Sequence, residues 1–224
     1  MGNYYSEKLS AERLKRVYEI GSPRLNQYLK SEIDHLLKKI KPSDTVLEIG
    51  CGYGRIIKTL QSKAKKVVGV DMSPDNINMA KEYLKEYKNV ELFQMDAAHM
   101  NFDKETFDVV IVVQNGISAF KVKPEKLLRD CLYVTKRGGT ILFSIYSDKF
   151  WPERLKWFEK QSEEGLLGEI DKEKTCAGNI VCKDGFTATT FTKDEFISLT
   201  SIFDITPNII EVDESSLFCE ILVP

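Results

Sequence analysis

The chain is expected to be an α/β protein built on a doubly wound, mostly parallel sheet, and two features of its 224 residues predict this. Short apolar segments alternate with amphipathic helical patterns from residue 45 to residue 146, the rhythm of strand–helix–strand units with right-handed crossovers. One of those segments, FDVVIVV at 107–113, is apolar without a break, as a parallel strand covered on both faces has to be. Composition agrees with a folded globular chain: 42% of residues are hydrophobic, 29% charged and 10% aromatic. A chain of this size buries roughly 70% of its unfolded surface, so its core needs no disulfide or metal staple.

Taken in order, Leu14, Val17 and Tyr18 form a short helical stripe that stops at Gly21, a natural C′ residue. Ser22-Pro23 reads as N-cap and N1 of a second helix, whose stripe runs through Leu25, Tyr28, Leu29, Ile33, Leu36 and Leu37 to Ile40. His35 is expected to be solvated or capping on that helix. Strands are expected at 45–49, 66–71, 90–95, 107–113 and 140–146, with helices opening at Ser73-Pro74 and at Pro124, the latter ending in Lys136-Arg137-Gly138. After Ser147 the alternation breaks. Residues 148–165 read as a helix with Phe150, Trp151, Trp157 and Phe158, and 179–191 as a strand pair. Residues 192–203 read as a helix with a Thr192–Glu195 capping box, and two late strands, 204–212 and 217–223, form an edge hairpin.

The most informative stretch is VLEIGCGYGR at 46–55, where Gly50, Gly52 and Gly54 follow a strand and precede a helix. Such a turn lets backbone approach a ligand closely. Asp71 lies 21 residues after Gly50, at the end of the next strand, where a carboxylate accepts from both hydroxyls of a ribose. The G-x-G-x-G spacing is wrong for a pyrophosphate turn, and Glu48 just before it would oppose phosphate but suit a cation. A ribose-containing cation without phosphate is S-adenosylmethionine.

On these residues the chain resembles the class I S-adenosylmethionine-dependent methyltransferases, small-molecule type, over about residues 43–147. VLEIGCGYGR looks like the first motif of that family. VVGVDMS (67–73) is similar to the ribose-binding strand end, with Asp71 as ribose ligand and Met72 packing on adenine. FQMDAAHM (93–100) resembles the adenine segment, with Asp96 and Ala97 facing the base, and FDVVIVVQNGIS (107–118) the strand whose end meets the methionine moiety. RGGTILFS (137–144) resembles the turn into the fifth strand. The resemblance implies a seven-stranded Rossmann-like sheet with an antiparallel last strand, N-terminal helices and an insertion after strand five. It implies a cofactor site of Glu48, Gly50, Cys51, Gly52, Gly54, Asp71, Met72, Asp96, Ala97, Gln114 and Asn115.

The whole chain, 1–224, is then a single methyltransferase domain: a helical lid at 1–42, a cofactor core at 43–147, an acceptor cap at 148–191, and a last helix with hairpin at 192–224. Gln114-Asn115-Gly116-Ile117 stands where amino-group methyltransferases of DNA and protein carry N/D-P-P-Y/F, which points to a small-molecule acceptor. The alternatives are a protein or RNA acceptor, or a catalytically silent module that only binds the cofactor. Net charge −2 weighs against a broad nucleic-acid surface. No protein nucleophile is required; Asn115, His99 and Tyr5 are the catalytic candidates, with Tyr5 and Tyr18 lining the roof. No metal is expected; Cys176 and Cys182 are the only candidates for a soft metal, and they lack a nearby histidine or third paired cysteine. Five cysteines without CxxC spacing, no signal core in MGNYYSEKLS and no apolar run near ~20 residues point to a cytoplasmic chain, monomeric or homodimeric, without membrane contact.

Overall fold

The computed structural model describes Tyr4 and residues 8–224. Its centre is a seven-stranded sheet in the order β3-β2-β1-β4-β5-β9-β8, with β1 Thr45–Ile49, β2 Lys66–Asp71, β3 Val90–Gln94, β4 Phe107–Val112, β5 Thr135–Tyr146, β8 Asn208–Val212 and β9 Ser216–Leu222. The first five strands run parallel, and β9, the last, is antiparallel to both β5 and β8. This is the Rossmann-like arrangement the resemblance implied.

The uninterrupted apolar run of β4 is explained by burial on both faces. Val110 and Val112 join a core with helix α6 (Pro124–Val134) and helix α8 (Lys193–Ser201). Val109, Ile111 and Val113 join a second core under α2 (Pro23–Lys39), the short α3 (Ile57–Leu60) and α4 (Pro74–Tyr83). Burying a Val or Ile is worth about 1.5–3 kcal/mol, so this strand is a main anchor of the sheet. The caps read from sequence form: Ser22 Oγ accepts from Leu25 N at 3.1 Å, Ser73 Oγ from Asn76 N at 3.3 Å, and Thr192 and Glu195 close their box.

A third core joins α1 (Ala11–Glu19) and the start of α2 to the segment after β5, which holds α7 (Trp151–Glu163) and a hairpin of β6 (Asn179–Val181) with β7 (Thr187–Thr189). Tyr28 meets Phe150 with ring centroids 4.9 Å apart, and Trp157 Nε1 donates to Val17 O at 2.8 Å. A further short helix, α5 (Gly116–Ala119), follows β4.

Gly21 stands at C′, one residue past the Ile20 cap, and a Cβ there would lie 2.6 Å from Leu25 Cδ2, so the glycine serves close packing. Two expectations are corrected. Helix α6 ends at Val134, and Lys136-Arg137 belong to β5, because Thr135 already pairs with Phe107. A register shift, with Gly138 at φ 72°, then carries the strand on to Thr140. His35 is buried, not solvated: its Nε2 lies 2.8 Å from Glu220 Oε1 and its ring rests on Phe218. Burial lowers its pKa despite the carboxylate. The surface of α2 that meets the sheet is therefore wider than its apolar stripe.

Candidate functional site

At the carboxyl end of the sheet, β1 runs into a glycine bend whose amides are occupied within the protein. Gly50 N and Cys51 N both donate to Val70 O, at 2.8 and 3.0 Å, and Gly54 N donates to Cys51 O at 2.9 Å. Gly52 N donates to Asp71 Oδ2 at 2.9 Å, while Asp71 Oδ1 accepts from Ser73 N at 2.9 Å and Asn76 Nδ2 at 3.1 Å. With these amides turned inward the bend is no phosphate nest. Burial raises the Asp71 pKa, and those three donors hold it back. Asn76 Oδ1 in turn accepts from Ala11 N at 2.7 Å, which ties α1 to the same carboxylate network.

The glycines differ in purpose. Gly50, at φ 77°, has Phe120 against it, where an added Cβ would fall 2.5 Å from Cζ; Gly52, at φ 54°, has Leu14 Cδ2 at 2.9 Å from that position. Gly54, at φ 88°, backs onto Leu84 and Ala80 of the α4 side. It packs the bend on its helix and does not face the cavity, contrary to the expectation for Gly54.

Glu48, 3% exposed, points from β1 into the cavity floor with Oε2 lacking a hydrogen-bond partner. Burial pushes its pKa up to about 8, against the opposing pull of Arg55. Arg55 Nη2 and Gln114 Nε2 are likewise buried and unpartnered. Gln114 Oε1 accepts from Tyr18 OH at 2.7 Å, and the Arg55 guanidinium lies 4.7 Å from the Tyr18 ring centre. Glu32 of α2, fully buried, lies 2.5 Å from Ser144 Oγ, and burial raises its pKa too. Glu32 falls on the stripe of Tyr28, Leu29 and Leu36 at i+4, i+3 and i−4, so the helical period places it inward although its charge suggests solvent.

The cavity brings together Glu48, Gly50, Cys51, Gly52, Asp71, Met72, Asp96, Ala97 and Gln114 as the sequence suggested. Asn115 is not among its walls. Held at φ 61°, it donates from Nδ2 to Thr189 O at 2.6 Å and so fastens the β7 strand to the end of β4. His99 is exposed, with Nδ1 3.7 Å from Asp96 Oδ2, and lines no part of the cavity. Tyr5 lies outside the described residues. Cys176 is exposed and Cys182 buried, and among the described residues no group of three His, Cys, Asp or Glu gathers to hold a metal. Sequence reasoning missed Arg55, Phe120 and Gln161. The first follows directly on the glycine motif and was legible as its neighbour; Gln161 shares a helical face with Trp157 and Phe158, and Phe120 is placed only by tertiary packing.

These features suit S-adenosylmethionine. An unpartnered buried carboxylate waits for a cation, a carboxylate at the end of β2 for a diol, and the unpartnered donors of Arg55 and Gln114 for a carboxylate.

Residues 46–139 match the family described as "Methyltransferase domain". Over 79 residues the chain is 39% identical to ribosomal RNA small subunit methyltransferase A of Clostridium botulinum, covering 34% of this chain and 29% of that one. Over 106 residues it is 27% identical to the ubiquinone biosynthesis O-methyltransferase of Coxiella burnetii, covering 47% and 44%. The chain thus spans less than half the length of these curated relatives. Among solved structures, a Pyrococcus horikoshii protein superposes over the full length of both chains with TM-score 0.70 at 24% identity. The N-methyltransferase NodS of Bradyrhizobium japonicum, in complex with S-adenosylhomocysteine, does so with TM-score 0.64 at 15% identity. These structural likenesses speak for the fold.

Proposed function

From a chain that belongs to the class I, Rossmann-like methyltransferases, we propose an enzyme that transfers the methyl group of S-adenosylmethionine to a small-molecule acceptor. The observation that carries the small-molecule reading is the roof. One continuous cavity runs from the glycine bend to the rings of α7, and α1 crosses above it, with Leu14 against Gly52 and Val17 O bonded to Trp157. A nucleobase on a polymer would have to displace that roof. The wall sets three carboxyl side chains, Glu48, Asp71 and Asp96, against the one cation Arg55, which gives a phosphodiester chain little to bind.

The cofactor supplies an electrophilic methyl group on a cationic sulfur. Glu48 neutralises positive charge at the cavity floor, and Asp71 offers its free lone pairs to the ribose hydroxyls. Met72, Asp96 and Ala97 border the adenine end, with Asp96 Oδ1 already turned onto Ala98 N at 2.8 Å. Gln114 and Arg55 hold the amino-acid end. Gly50 and Cys51 keep the floor flat. Their shared work is alignment and exclusion of water, for which about 7–11 kcal/mol of barrier is available.

Five free thiols, four of them buried, suit a reducing cytoplasmic setting, and the chain is read as acting as a monomer or homodimer. Among the described residues no helix is long and apolar enough to cross a membrane. The test is labelled methyl transfer from S-adenosylmethionine into metabolite fractions, total RNA and protein. Label in the metabolite fraction supports this reading, label in RNA supports the polymer alternative, and cofactor binding without any transfer identifies a silent module.

A further inference from the structure

The half of the cavity away from the glycine bend has a chemistry of its own. Its wall is a chain of rings: Tyr18 to Trp157 at 6.1 Å between centroids, Trp157 to Phe158 at 5.8 Å, and Phe158 stacked on Phe186 at 6.1 Å. Within this wall stands one amide, Gln161 of α7, 2% exposed, with Nε2 buried and lacking a hydrogen-bond partner. A buried donor left without a partner keeps the full cost of its lost hydration. In a cavity wall, such a donor marks where a ligand acceptor atom belongs.

Charge narrows the ligand further. Arg55 is the one cation of the described cavity wall, and it already lies over Tyr18, beside the cofactor end. Ring faces and nearby carboxylates attract cations and repel anions. Among the described residues no histidine or lysine lines the cavity, and burial pushes the phenols of Tyr18 and Tyr53 upward, so neither is a base near neutrality. An acceptor drawn in as an ammonium has to give one proton to water before its nitrogen has a lone pair to offer.

We propose that the acceptor is a flat, apolar amine bearing a second oxygen or ring-nitrogen atom, seated on the α7 rings, with that second atom accepting a hydrogen bond from the Gln161 amide. This rests on the reading of the glycine-bend end as the cofactor site. The ammonium first gives one proton to water; the freed lone pair then forms the new carbon–nitrogen bond as the methyl–sulfur bond breaks and its electron pair stays on sulfur. The product leaves as the methylated ammonium. Gln161 is a specificity residue that touches the acceptor.

The experiment is calorimetry on the full chain saturated with S-adenosylhomocysteine, titrated with tyramine, 2-phenylethylamine and the carboxylate counterpart 4-hydroxyphenylacetate. Tyramine is expected to bind at least about tenfold more tightly than 4-hydroxyphenylacetate. Gln161→Met is expected to weaken tyramine by about tenfold while leaving 2-phenylethylamine, which lacks the hydroxyl, and S-adenosylhomocysteine unchanged. Equal or tighter binding of the carboxylate, or no binding of either amine, overturns the amine assignment. Equal loss of both amines in Gln161→Met, or loss of neither, overturns the role of the amide. If S-adenosylhomocysteine itself does not bind, the cofactor reading falls first, and this inference with it.

Discussion

At the glycine-bend end of the cavity the backbone is held by short-range and next-strand hydrogen bonds; at the α7 end the wall is held by side chains distant in sequence. Gly50, Cys51 and Gly52 are pinned to Val70 and Asp71 by main-chain donors, and three residues there hold positive φ. The opposite wall is held by contacts between side chains far apart in sequence. Tyr4 OH reaches Asp184 Oδ2 at 2.7 Å, Arg13 reaches the carbonyls of Gly165 and Leu166, and Arg16 pairs with Glu164. Arg154, 1% exposed, caps Ala188 O and Gly178 O beneath the Tyr146 ring. The difference teaches that one wall takes its shape from main-chain bonds anchored on a single carboxylate, whereas the other takes it from many side chains. A shared cofactor suits the first and a particular acceptor the second.

Four changes probe that contrast, the largest first. Gly54→Val adds a side chain at φ 88°, where Leu84 lies 2.5 Å from the new Cβ. It is expected to lower unfolding free energy by about 2–4 kcal/mol in denaturant titration. A loss below 1 kcal/mol, on the same estimate, would mean the bend is softer than its hydrogen bonds suggest. Next, Asp71→Ala removes the acceptor of Gly52 N, Ser73 N and Asn76. It is expected to weaken cofactor binding by about 1–3 kcal/mol by calorimetry, and an unchanged affinity would remove Asp71 from the site.

The third concerns pH. Glu48 is protonated up to about pH 8 in the free protein, well above its value in an unfolded chain. Its ionisation therefore costs stability as pH rises from the ordinary carboxylate range toward 8, where the folded protein binds a proton that the unfolded chain has released. A cationic ligand prefers the ionised form. Affinity for S-adenosylmethionine is thus expected to rise from pH 6 to 8, by at most about 1.4 kcal/mol per unit, with proton release on binding. Calorimetry in buffers of different ionisation enthalpy measures that release, and Glu48→Gln is expected to abolish it. Fourth and smallest, Trp157→Phe deletes the bond to Val17 O while keeping a ring. It is expected to cost about 1 kcal/mol of stability and leave cofactor affinity unchanged. A large loss of that affinity would show the two walls to be coupled.

Legibility followed the same divide. The strand ends, the caps at Ser22, Ser73 and Thr192, and the acids Glu48 and Asp71 were readable because each depends on neighbours within a few residues. Asn115 and Gly54 were assigned to the cavity by motif position, yet one fastens β7 and the other packs α4. Motif position tells where backbone goes, not where each side chain ends. Gln161 and Arg154 share the buried face of α7 with Trp157 and Phe158 at helical spacing, but their polarity hid them, since the period gives the face and not the partner a polar group finds there.

What the sequence determined by itself was the doubly wound sheet, its glycine bend and the two acids beside it, since hydrophobic period and local backbone preference act over a few residues. Tertiary structure alone decided which polar groups are buried and with whom. Glu32 meets Ser144 across 112 residues of chain, His35 meets Glu220 across 185, and Asn115 meets Thr189 across 74. Buried polar atoms take their meaning from the partner they find or lack, and that partner is chosen by packing rather than by adjacency.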